Sequence, residues 1–128
     1  MEKTKILIVD DEEDVCVLLC ITLSRHNYIC LTANSGAKAL ELIKKEHPAV
    51  VLLDIRLGDE SGIEVLKKIK TLDNKVKVIM LTIMDDENTI HESKANGADD
   101  YAPKLSSSGS LGEEVLSKLS LLAIKRKT

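Results

Sequence analysis

The chain has 128 residues, 44% of them hydrophobic and 30% charged, with a formal net charge of −3. This length suits one domain with a single core that needs no metal or disulfide staple. The mildly acidic balance excludes a general nucleic-acid surface, and no apolar run is long enough for a secretory leader or a membrane span. The expectation is a soluble, cytoplasmic protein with no direct nucleic-acid and no membrane partner. Phe and Trp are absent and the only aromatics are Tyr28 and Tyr101, so the core must be aliphatic. Cys16, Cys20 and Cys30 have no further Cys or His at partner spacing. They read as small buried hydrophobes in a reducing compartment rather than metal ligands.

In chain order, the first apolar run is Ile6–Val9, which ends on Asp10-Asp11. Glu12, Glu13 and Asp14 follow as first-turn acids of a helix, favoured there by its dipole, with Val15, Leu18, Leu19, Thr22 and Leu23 as its apolar stripe. A second run, Tyr28–Thr32, leads to Ser35 as a helix start and to the stripe Ala39, Leu40 and Ile43. The third run, Val50–Leu53, ends on Asp54; Ser61 with Glu64 then reads as a capping box before the stripe Ile63, Leu66 and Ile69. The fourth, Val76–Leu81, ends on Thr82 and precedes a more polar helical stretch at 86–96. A short fifth strand around Asp100–Ala102 runs to Lys104, and SSSGS at 106–110 reads as a loop. Ser110 with Glu113 forms another capping box before Leu111, Val115, Leu119 and Leu122, and the tail KRKT is solvated. Runs this apolar indicate strands buried on both faces, and β-α repeated five times indicates a doubly wound parallel sheet.

Ligands of such sheets bind beyond the carboxyl ends of the strands. Asp10, Asp11, Asp54, Thr82 and Lys104 all follow strand ends, so three acids, a hydroxyl and an ammonium converge at one edge. Crowded carboxylates repel one another, and a divalent cation reverses that balance. Mg²⁺ suits one to three carboxylates together with phosphate oxygens. An Asp carboxylate can attack phosphorus, while a cation, a Lys and a Thr hydroxyl steady the equatorial oxygens. Asp54, alone at the end of the most apolar strand, is the best nucleophile. His26, His47 and His91 show no mutual spacing and are assigned no chemistry.

The segments ILIVDDEEDV, TANSGAKALELI, PAVVLLDIRLGDESGIEVLKKIK, VKVIMLT and ANGADDYAPK resemble a response-regulator receiver domain of two-component signalling, over essentially the whole chain. The resemblance implies a flavodoxin-like α/β fold, (βα)5, with a five-stranded parallel sheet in order 2-1-3-4-5, and residues 1–128 as a single receiver domain without an output domain. It implies that Asp54 accepts phosphate from a histidine kinase or phosphotransfer protein in a Mg²⁺-dependent reaction. Asp11, Asp54 and the Arg56 backbone carbonyl would hold Mg²⁺, with Asp10 acting mainly through water. Thr82 and Lys104 would hold the phosphoryl group, and Tyr101 would turn inward as Thr82 is drawn to it. The domain would catalyse its own phosphorylation and slow dephosphorylation, yet serve mainly as a switch read by a target protein on the face of the fourth helix, fifth strand and fifth helix. A homodimer through the last helix is compatible with the sequence.

Four positions depart from the family pattern. Leu105 follows Lys104 where the family has Pro, usually after a cis bond, and the expectation here is a trans bond or a strained cis one held by the site. Ser106 replaces the usual Phe, and Gly58 replaces a common Pro, freeing the loop after Asp54. Ile83 follows Thr82 where the family favours a small residue, and it is expected to restrict access to Asp54. Three rival readings carry less. One is a receiver-shaped interaction module that takes no phosphate. Another is a metal-dependent phosphatase, for which Arg56 stands where a general acid is needed. The third is a nucleotide-binding flavodoxin-like domain, for which no Gly-rich loop follows the first strand.

Overall fold

The structure, a computed structural model, describes residues 3–83, 87–104 and 110–122. Leu105 and Ser106 lie outside those residues, as do most of the SSSGS stretch and the KRKT tail. In chain order the elements are β1 (Lys5–Val9), α1 (Glu13–Arg25), β2 (Ile29–Ala33), α2 (Gly36–Glu46), β3 (Val50–Asp54), β4 (Arg56–Leu57), β5 (Glu60–Ser61), α3 (Gly62–Leu72), β6 (Lys77–Thr82), α4 (Glu87–Ala95), β7 (Asp100–Pro103) and α5 (Leu111–Leu121). Five strands form one parallel sheet in the order β2-β1-β3-β6-β7. Setting aside the small β4–β5 hairpin, this is the expected 2-1-3-4-5 arrangement.

The sheet divides the core in two because successive strand residues point to opposite faces. Ile6, Ile8, Val50, Leu52, Ile79 and Leu81 pack with Leu19, Leu23, Val115 and Leu119 of α1 and α5. Leu7, Val9, Val51, Leu53, Val78 and Met80 pack with Ala39, Ile43, Leu66 and Ile69 of α2 and α3. β3 is buried throughout and β6 from Val78 onward, as their apolar runs predicted, with Lys77 half-buried at the start of β6. The second run departs from that expectation. β2 is an edge strand, and Ile29 at its start is 37% exposed. Leu18, placed by periodicity in the buried stripe of α1, is 51% exposed; the buried positions are Cys16, Leu19 and Leu23.

Two of the three predicted helix starts are capped as expected. Ser35 Oγ accepts from the Lys38 N–H at 3.2 Å and Ser110 Oγ from the Glu113 N–H at 3.1 Å. Ser61 forms no capping box: its side chain makes no cap hydrogen bond, and Glu64 turns to Lys67 at 2.9 Å. The reason is the hairpin, which the sequence reading missed. Arg56 pairs with Ser61 and Leu57 with Glu60 across a Gly58-Asp59 turn. Gly58 has φ +58°, a left-handed conformation closed to Pro, so the loop is fixed in a turn rather than merely freed. The Gly62 N–H donates to the Ile55 carbonyl at 2.6 Å. A side chain at Gly62 would strike the Asp54 carbonyl and lie 2.8 Å from Ile55 Cα, so the return of the chain beside the end of β3 requires glycine.

The cysteines also depart from expectation. Cys20 of α1 and Cys30 of β2 form a disulfide with Cα atoms 5.5 Å apart, and only Cys16 is free and buried. Tertiary proximity, invisible in spacing, makes the pair. Cross-linking residues 10 apart in sequence is worth roughly 2–3 kcal/mol in the chain-entropy account. Cys30→Ser, or reductant on the parent, is expected to lower the urea midpoint accordingly. An unchanged midpoint, with three titratable thiols in the unfolded, unreduced chain, would remove the bond.

Candidate functional site

The site forms where β1, β3 and β6 end and β7 runs out. Parallel pairing aligns these ends: Val9 lies beside Leu53 and Asp54 beside Leu81. Asp10, Asp54 and Thr82, polar groups at the ends of apolar strands, are 1%, 6% and 6% exposed. Lys104 leaves β7 beside them, its N–H donating to the Thr82 carbonyl at 2.6 Å.

The Lys104 ammonium is the hub. Its Nζ lies 2.8 Å from Asp10 Oδ2, 2.9 Å from Asp54 Oδ2 and 3.1 Å from Glu12 Oε1. Backbone donors fix the acids: the Glu12 N–H donates to Asp10 Oδ1 at 2.9 Å and the Arg56 N–H to Asp54 Oδ1 at 3.2 Å. Three carboxylates therefore share one ammonium. Burial, with the Asp10 charge adding to it, pushes the Asp54 carboxyl up to about 6 against the opposing Lys104 hydrogen bond. Burial also works to lower the Lys104 pKa, but its bonds to Asp10 and Asp54 prevail and hold the ammonium charged. Nearby, burial and the Asp10 charge raise the Cys16 thiol, which disfavours the reactive thiolate.

One oxygen each of Asp10, Glu12 and Asp54 lies within 4.8 Å of the others. An all-oxygen, anionic donor set of this kind fits a hard divalent cation, and the Lys104 ammonium supplies a single positive charge to the same acids. Asp11, expected as a direct ligand, is exposed and lines the adjoining cavity of about 390 Å³ together with Asp54, Arg56, Gly58 and Ile83. Ile83 is 61% exposed at this cavity. Glu12 is the site residue that the sequence reading missed. As a first-turn acid it looked ordinary, and its contact with a lysine 92 positions away becomes visible only in the fold.

Tyr101 sits on the α4–β7–α5 face. The ammoniums of Lys94 and Lys118 lie 5.7 and 5.4 Å from its ring centroid, within cation–π range.

A doubly wound sheet with buried acids and a lysine at its carboxyl edge defines a phosphoacceptor domain of the flavodoxin-like class. The chain belongs to the response regulator receiver domain family, which it matches over residues 6–116. It is similar to sporulation initiation phosphotransferase F of Bacillus subtilis, 39% identical over 98 residues, covering 77% of this chain and 79% of that protein. It also resembles the alkaline phosphatase synthesis transcriptional regulatory protein PhoP of the same bacterium, 39% identical over 100 residues and 78% of this chain, but only 42% of PhoP. Among solved structures, a CheY-like receiver domain protein of Methanospirillum hungatei superposes with a TM-score of 0.85 at 28% identity, covering 94% of each chain. The receiver domain of NtrX from Brucella abortus gives 0.80 at 27% identity, covering 94% of this chain and 99% of that one. The acidic pocket of Asp10, Glu12 and Asp54 fits the phosphoacceptor site of this family. Receiver domains act with histidine kinases and phosphotransfer proteins and bind Mg²⁺ at such pockets. Among the described residues, no helix is long and apolar enough to cross a membrane.

Proposed function

We propose that Asp54 is the phosphoacceptor and that this chain is the signalling switch of a two-component pathway. The Lys104 ammonium held between Asp10 and Asp54, at 2.8 and 2.9 Å, carries this reading. A structural lysine seldom receives three carboxylates at the open edge of a sheet. An Asp54 oxygen attacks the phosphorus of a phosphohistidine on a kinase or phosphotransfer protein; the O–P bond forms, the N–P bond breaks and the histidine leaves with its electron pair. Lys104 then exchanges the Asp54 carboxylate for phosphoryl oxygens, and the Thr82 hydroxyl donates to another. Asp10, Asp11, Asp54 and the Arg56 carbonyl are the groups that would hold Mg²⁺, with Glu12 beside them. When bound, the ion neutralises charge on the transferring group.

Thr82 and Tyr101 then act as the switch. Movement of Thr82 toward the phosphoryl group opens space for the Tyr101 ring to leave its place between Lys94 and Lys118. The altered α4–β7–α5 face is what a target protein reads. We place the domain in the cytoplasm, beside its kinase. Disulfides are rare in reducing compartments, so the thiol titration of Cys20 and Cys30 also bears on that placement.

Intact mass after incubation with acetyl phosphate, with and without Mg²⁺, tests the reading. A Mg²⁺-dependent gain of one phosphoryl group supports it. No gain, together with no binding of beryllofluoride and Mg²⁺, would leave a phosphorylation-independent interaction module. Ile83, exposed at the cavity, bears on lifetime: Ile83→Ala is expected to speed loss of the phosphoryl group roughly fivefold, the effect of about 1 kcal/mol of removed obstruction. An unchanged half-life would refute that role.

A further inference from the structure

The loop that follows Asp54 carries the Arg56 carbonyl, and something must hold that loop still. A hairpin with two residues per strand is marginal by itself. Leu57, 5% exposed, pins one of its strands to the core. The other strand is tied differently. Glu60 Oε1 accepts the Gly36 N–H at 2.9 Å. Gly36 opens α2, so its N–H has no acceptor within the helix. The helix dipole adds to the attraction for a carboxylate placed there. The fit is close from both sides: a Cβ at Gly36 would lie 2.6 Å from Glu60 Oε2 and 2.7 Å from Val65 Cγ2 of α3. Glu60 thus closes directly on the first residue of α2, and it lies outside the lining of the cavity that Asp54 lines.

We propose that Glu60 is a positioning residue that anchors the phosphoacceptor loop to the start of α2, holding the Arg56 carbonyl in place for the divalent cation. The cation arm of this proposal rests on the reading of the site given above; the anchor itself does not. Gly58 at φ +58° sets the turn and Glu60 fastens its far strand. Residue 58 carries no ring to stiffen the loop, so fixing the strand beyond the turn falls to this contact.

The experiment compares Glu60→Ala, Glu60→Gln and Ser35→Ala with the parent chain. Ser35→Ala is the structural control: it removes the other capping bond of α2, to the Lys38 N–H at 3.2 Å, without touching the hairpin. Two readouts are taken. One is amide hydrogen exchange of residues 56–61 in protein stripped of metal; the other is Mg²⁺ affinity by calorimetric or NMR titration. Glu60→Ala should exchange faster at Leu57, Glu60 and Ser61 and bind Mg²⁺ several-fold more weakly. Glu60→Gln keeps the acceptor oxygen and should stay near the parent, and Ser35→Ala should match the parent in both readouts. Exchange in Glu60→Ala equal to the parent's would overturn the anchor. Mg²⁺ binding equal to the parent's, or an equal loss in Ser35→Ala, would overturn the positioning role. A parent chain that binds no Mg²⁺ would instead overturn the reading of the site and the cation arm with it, while the exchange readout still decides the anchor.

Discussion

Asp54→Asn is expected to take up no phosphoryl group from acetyl phosphate and, at neutral pH without Mg²⁺, to be more stable than the parent. The first effect follows from loss of the attacking oxygen: an amide is not a nucleophile toward phosphorus at neutral pH. The second follows from linkage. Folding raises the Asp54 carboxyl from its ordinary 3.8 to about 6, chiefly by burial. A group raised in this way contributes stability that is fully present below its unfolded value and lost as pH rises through its folded value. At pH 7 the parent therefore holds an ionised Asp54 against its preference. Removing it should give about 1–3 kcal/mol, less than the whole shift implies because the bond from Lys104 is weakened as well. The advantage should shrink as pH falls through about 6 and vanish near 3.8. Mg²⁺ should stabilise the parent, by about 1.4 kcal/mol at tenfold excess over its dissociation constant, and the variant little. Urea unfolding across pH, with and without Mg²⁺, reads all of this. A variant less stable than the parent at pH 7 would show that Asp54 and Lys104 form a structural ion pair.

Lys104→Ala should have the opposite sign and a larger size. Its ammonium, on a side chain 6% exposed, touches Asp10, Glu12 and Asp54, and Asp10 is almost wholly buried. Deleting the cation leaves buried carboxylates uncompensated and facing one another, which costs about 3–5 kcal/mol. Two conditions should restore stability. Acidification allows Asp54 to take a proton, so the deficit narrows as pH falls. Mg²⁺ supplies the missing charge, so it should stabilise Lys104→Ala by more than it stabilises the parent, where the ammonium competes for the same oxygens. A loss below about 1 kcal/mol at pH 7, or equal Mg²⁺ stabilisation in both proteins, would count against shared occupancy of the acid cluster.

The central sheet and most of the site were legible in the sequence because both follow local rules. Ile6–Val9 and Val50–Leu53 are apolar without interruption, and Val76–Leu81 is broken only by Lys77 near its start; runs this apolar indicate strands covered on both faces. A polar residue that ends such a run lies at the ligand-binding edge of the sheet, so Asp10, Asp54 and Thr82 could be placed from order alone, and Lys104 from its place after the short fifth strand. Ser35 and Ser110 cap their helices because capping depends on residues three apart. Tertiary structure decided whatever depends on contacts between distant segments. Periodicity put Leu18 in a buried stripe, but among the described residues no element covers it and it is 51% exposed. Ser61 and Glu64 have the spacing of a capping box, yet the hairpin claims Ser61 and Lys67 claims Glu64. Cys20 and Cys30 meet because α1 crosses β2 at that level. Glu12 read as a first-turn helix acid and Glu60 carried no reading at all, until folding set one against Lys104 and the other against the first N–H of α2. A sequence fixes which groups a chain can bury and cap by itself; which charges meet across the fold depends on how its elements pack.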